Sequence, residues 1–145
     1  MFAEVTAAVE RARGLRNSDP AQGIRIASDA LVQARALAEI SPDAPGAPDA
    51  QSARTLLADV LTALGHCERM TSALTDSAAH CSEAASRYAA LNVPHGEAVA
   101  RTQWGIALVQ LGDLPGGLAQ LERSRDLSHA LGRSEERRVG KECLR

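Results

Sequence analysis

Two histidine–cysteine pairs, His66-Cys67 and His80-Cys81, are the residue types in this chain best suited to chemistry. Imidazole and thiolate can share a tetrahedral zinc shell, and a thiolate beside an imidazole can become an activated nucleophile. The zinc reading fails on spacing, which is that of no known finger. The nucleophile reading lacks an orienting third group and an oxyanion site. Free cysteine commonly serves as a small apolar filler, and both cysteines fall at core or semi-buried positions of the pattern described below. No catalytic residue, metal or cofactor is therefore expected.

The other candidates read the same way. Gly112 and Gly116-Gly117 form neither a phosphate loop nor a dinucleotide fingerprint, so turns and close packing account for them. Glu97 and Arg101, four apart, read as a solvated helix pair and not as a binding clamp. Trp104 is the best single recognition aromatic, although its position favours core packing.

The elements that must position these residues are helices. Aromatics make up 2% of the chain (Phe2, Tyr88 and Trp104), alanine is abundant and β-branched residues are sparse. That composition favours helices in close approach and speaks against a sandwich or barrel. The formal charge of −2 leaves no clustered basic footprint for nucleic acid. No apolar run approaches the ~20 residues that cross a bilayer, and Met1 to Glu10 do not read as a signal peptide. Three cysteines without regular spacing fit a reducing compartment, so a cytoplasmic protein is expected.

Apolar periodicity and the breakers between runs predict six helices, near residues 2–15, 20–39, 49–70, 74–91, 95–111 and 114–131. Asn17-Ser18-Asp19-Pro20 supplies a cap followed by proline at the first helical position. Ser41-Pro42-Asp43-Ala44-Pro45-Gly46-Ala47-Pro48 reads as a loop. Connections this short make consecutive helices antiparallel hairpins, near 2–39, 49–91 and 95–131. A shift of 40 residues superimposes Ala58 on Ala98, Leu64-Gly65 on Trp104-Gly105, Leu74 on Leu114, Cys81 on Leu121, Ala84 on Ser124 and Leu91 on Leu131. A shift of 54 brings Ala27, Ala30 and Leu37 onto Cys81, Ala84 and Leu91. Internal repetition of this length is the signature of stacked supersecondary units.

At Trp104-Gly105, Leu108, Leu111-Gly112-Asp113-Leu114, Gly117-Leu118, Leu121 and Ser124 the chain resembles a tetratricopeptide repeat. The preceding unit is similar at Leu64-Gly65, Leu74, Ser77-Ala78, Cys81 and Ala84, with Ser72-Ala73 in place of the Gly-Asp turn. The first unit departs more, because Glu10-Arg11 fall where the apolar-Gly pair belongs. The resemblance implies an all-α solenoid of about three hairpins over residues 1–131, in which Gly105, Gly117 and Ser124 let paired helices approach. It also implies a concave partner-binding surface on the first helix of each hairpin. That surface would present Asp59, Thr62, His66, Arg69 and Met70, then Val99, Thr102, Ile106, Val109 and Gln110. The expected function is a protein or peptide interaction module, not an enzyme. The alternative is the sensory region of a bacterial signalling enzyme or regulator (diguanylate cyclase, histidine kinase or helix-turn-helix protein) whose effector part lies elsewhere.

Residues 133–143, Arg133 to Cys143, resemble one translated frame of a short-read sequencing adapter, and the match stops at Leu144-Arg145. Lys141 is the only lysine in the chain. Leaving out 133–145 lowers the basic count by five to 11 and the acidic count by three to 15, so the body carries −4. Residues 132–145 are accordingly expected to be a non-native tail, and the natural protein to continue past Leu131. The apolar set Leu114, Leu118, Leu121, Leu127 and Leu131 would then lie partly exposed as a self-association site.

Overall fold

α3 (Ala50–Met70) is buried on most sides through its middle, where Leu56, Leu57, Val60, Leu61 and Leu64 carry the apolar surface, and a helix of that kind must be surrounded. In the computed structural model, which describes residues 1–40, 43, 45 and 48–143, α3 packs against α1 (Phe2–Leu15), α2 (Pro20–Glu39), α4 (Leu74–Ala90) and α5 (Pro94–Gln110). α6 (Leu114–Cys143) packs on α5. The described residues form these six helices and no strand. The proline-rich stretch at 41–48 lies largely outside the described residues.

Leu57, Leu61 and Leu64 of α3 are buried at 2% exposure or less. Each contributes about 1.5–3 kcal/mol through the water it sheds. The neighbours meet them with small side chains, Ala8 and Ala12 from α1, Ala27, Ala30 and Ala34 from α2, Ala84 and Ala85 from α4. Helix ends follow the local chemistry. The Asp19 carboxylate accepts from the Gln22 amide at 3.1 Å, with Pro20 behind it, and Asp49 accepts from the Ser52 amide at 3.0 Å.

The three short connections share one turn. Ser72, Asn92 and Gly112 adopt left-handed φ values of 64°, 56° and 95°. The amide after each donates back to a carbonyl five residues earlier, Ala73 to Glu68, Val93 to Tyr88 and Asp113 to Leu108. Ser72 thus performs the backbone task that Gly112 performs forty residues on.

Helix pairing repeats with the same spacing. The Ser77 hydroxyl donates to the Gly65 carbonyl at 2.6 Å, and a Cβ on Gly65 would collide with the Cys81 sulfur. At the shifted positions a Cβ on Gly105 would stand 2.9 Å from both the Gly117 carbonyl oxygen and Leu121. Thr62 donates to the Ala58 carbonyl at 2.9 Å and Thr102 to the Ala98 carbonyl at 3.0 Å. Along α3 and α4 the pairs Asp59–Tyr88 and Glu68–His80 run in opposite chain order, so these two helices are antiparallel.

Three expectations are corrected. In the first unit Ala12, fully buried, faces Gly23, the counterpart of Ser77 by the 54-residue shift. Ala12, and not the Glu10-Arg11 pair, therefore takes the place of Gly65. Glu97 and Arg101 are not a solvated pair: their side chains are 8% and 20% exposed, and Arg101 also donates to Gln120 at 2.5 Å and lies 5.9 Å from the Trp104 ring centre. The last helix does not end at Leu131. From Arg133 to Arg138 the helix-favouring Arg and Glu predominate and Arg138 pairs with Glu135 at 2.9 Å, so helix persists there without a core. Every side chain from Gly132 to Arg138 is exposed.

Candidate functional site

α3 contacts both α1 and α5 directly, whereas among the described residues no backbone approach of this kind joins α2 to α4 or α4 to α6. Two hollows open on the side where the three helices meet. One, of about 480 Å³, lies between the start of α1 and the first half of α3, with Phe2, Thr6, Ser52, Thr55 and Asp59 in its walls. The other, of about 340 Å³, is walled by Arg13 and Arg16 of α1, Thr62 and His66 of α3, and His95 and Val99 of α5. Asp59, Thr62 and His66 succeed one another at three- and four-residue spacing, which places them along one stripe of α3 that joins the hollows.

The ten residues expected on this face divide into groups. Thr62, His66 and Val99 line the second hollow, and Asp59 lines the first. Arg69 ties α3 to α5 by donating from Nε to Gln103 Oε1 at 3.0 Å. Met70, Val109 and Gln110 are exposed and Ile106 is half-buried. Thr102 turns away from the face, since its hydroxyl meets Ser124 Oγ at 2.7 Å in the seam with α6. Val109 leans on α6 as well, its Cγ2 standing 2.5 Å from where a Gly117 Cβ would be.

Arg13, Arg16 and His95 were missed by sequence reasoning. The arginines stand at the end of the helix whose repeat register the pattern did not give, and His95 sits in the first turn of α5, a position with no periodic signal.

Electrostatics differ along the face. Asp59 accepts from the Tyr88 hydroxyl and lies 3.9 Å from Arg13, yet burial raises its pKa above the ordinary value. His66 is held down at about 4, by burial first and then by the charges of Arg69 and Arg16, so the ring is neutral near neutrality. The ring nitrogen Nε2 accepts from Arg69 at 3.3 Å, which requires the tautomer protonated on Nδ1.

The two histidine–cysteine pairs do not converge. His66 faces the second hollow, Cys67 donates weakly to the Ala12 carbonyl at 3.6 Å, Cys81 fills the space beside Gly65, and His80 bonds the buried Glu68 at 2.8 Å. Among the described residues no three His, Cys, Asp or Glu groups assemble as a metal site. Burial raises the thiol pKa of Cys67 and pushes that of Cys81 up to about 12, which makes both poor nucleophiles. Trp104 is half-buried against the core. Among the described residues no helix is long and apolar enough to cross a membrane.

No protein-family model, curated protein or solved structure matches the chain.

Proposed function

We propose that the chain is a protein-interaction module of tetratricopeptide type, three stacked hairpins (α1–α2, α3–α4 and α5–α6) that dock a peptide or a partner helix on the α1/α3/α5 face. The observation that carries this reading is the side-by-side contact of α1, α3 and α5, which leaves two adjoining hollows on one face. The recurrence of the Gly65–Ser77 approach at Gly105–Gly117, forty residues later, supports a repeated unit. The chain acts by binding and carries no catalysis of its own in this reading, and the part of α6 from Gly132 onward, exposed as far as Arg138, lies outside the module.

Selection of peptides from a displayed random library on the full chain, followed by binding to Arg69→Glu and Val99→Asp variants, tests it. Enriched peptides should lose at least tenfold in affinity for one or both variants, a difference of about 1.4 kcal/mol. Enriched peptides indifferent to both changes would place binding elsewhere.

A further inference from the structure

The second hollow carries charge of one sign. Two guanidiniums, Arg13 and Arg16, and two imidazoles, His66 and His95, stand in its walls, and no carboxylate does. Arg13 is engaged by Glu10 at 2.8 Å and lies 3.9 Å from Asp59, whereas Arg16 makes no ion pair among the described residues. His95 stands in the first turn of α5, whose N-cap Val93 offers no side-chain acceptor, so the positive end of that helix adds to the same potential. Like charges around a half-enclosed space repel one another, and an anion placed among them offsets that cost.

We propose that this hollow binds a carboxylate of an acidic peptide segment, and that binding is coupled to proton uptake at His66. The inference rests on the docking face described above and adds the chemistry of its occupant. His66 accepts a hydrogen bond from Arg69 through Nε2, and protonation would turn that nitrogen into a donor facing a donor. A carboxylate beside the ring gives the protonated form an acceptor.

The charged and titratable groups that face His66 are Arg13 and Arg16 from α1, Arg69 on its own helix, and His95 from α5; Asp59 lies two turns earlier on α3, in the wall of the first hollow. Asp59 is occupied by Tyr88 and so does not supply the missing charge. A peptide fits better than a small inorganic anion for two reasons. Val99, 41% exposed, gives the methylenes of a glutamate an apolar wall, and the stripe through Thr62 and Asp59 leads on into the first hollow.

Calorimetric titration of the full chain with hexaglutamate, and separately with sulfate, decides the matter at about pH 5.5 and 7.5 in two buffers of different ionisation enthalpy. If the carboxylate returns His66 to its ordinary value near 6.5, hexaglutamate should bind about tenfold more tightly at the lower pH, with proton uptake. Arg16→Gln should weaken binding at both pH values. With His95→Asn also in place to remove the hollow's other imidazole, His66→Asn should abolish the difference in affinity between the two pH values. Equal affinity at both pH values, no proton uptake, or indifference to Arg16→Gln would overturn the proposal, as would sulfate binding as tightly as hexaglutamate. Arg16 is exposed and makes no ion pair among the described residues, so its variant reports even where His66→Asn folds poorly. Library peptides that lack acidic residues yet depend on Val99 would sink this inference and leave the interaction module standing.

Discussion

The hydroxyl of Ser77 donates to the main-chain carbonyl of Gly65 at 2.6 Å, which brings the backbones of α3 and α4 together at a point where neither residue is exposed. A methyl group on Gly65 would occupy the place of the Cys81 sulfur, itself fully buried. Gly65→Ala should therefore cost about 1–3 kcal/mol through overpacking, although alanine is the better helix former. Urea denaturation measures this, and a Gly65→Ala chain as stable as the parent would show that the helices are free to separate.

The turn between α3 and α4 is less well served than the one between α5 and α6. Asp113 accepts from the Gly116 amide at 3.0 Å, whereas Ala73 at the matching position has no side chain to cap α4. Ala73→Asp should add about 1 kcal/mol, and Ser72→Gly a similar amount by relieving the left-handed φ of 64°. A melting temperature that falls in either variant would contradict the turn geometry.

His66 and His80 give stability opposite dependences on pH. The pKa of His66 is depressed to about 4 in the folded chain, so below its ordinary value near 6.5 the unfolded chain binds a proton that the folded chain refuses. That contribution makes stability fall as pH drops through this window. His80 is raised by its hydrogen bond to Glu68, so it stabilises the folded chain below its ordinary pKa and loses that effect as pH rises through the folded value. Denaturation at about pH 5 and pH 8 should show His66→Asn gaining relative to the parent at the acid end, and His80→Asn losing there. Reversal of either sign would mean that the side chain titrates in a different environment.

Between Gly132 and Arg138 α6 has no core to join. Gly132 to Arg138 are exposed throughout, and Arg138 pairs with Glu135 one turn away. A chain ending at Gly132 should melt within about 2 °C of the full chain, because exposed substitutions and local pairs are worth only tenths of a kcal/mol. A drop of several degrees would show that this segment packs.

Leu114 and Leu118 are 54% and 46% exposed, with Leu121, Leu127 and Leu131 half-buried behind them on α6. Apolar area removed from water is worth about 25 cal/mol per Å², enough for weak pairing at high concentration against an association cost of several kcal/mol. Sedimentation across a wide concentration range should show self-association that Leu114→Glu with Leu118→Glu suppresses. A monomer at every concentration would remove the idea.

Much of the helical order was present in local sequence. Capping groups, prolines at helix starts and apolar spacing act within a few residues, so the bounds of α1 and α2 follow from Phe2, Leu15, Asp19, Pro20 and Glu39 without reference to the fold. The 40-residue recurrence brought Gly65 onto Gly105, and the tetratricopeptide resemblance marked Ser77 and Gly117 as well; close helix approach demands small side chains at all four. Tertiary structure decided what spacing alone does not encode. Whether Glu97 and Arg101 meet solvent depends on Gln120 and Trp104, and the register of α1 depends on which residue faces Gly23. The same holds for the second hollow: Arg16, His66 and His95 lie far apart in the chain, and only the packing of α1, α3 and α5 puts their charges around one space.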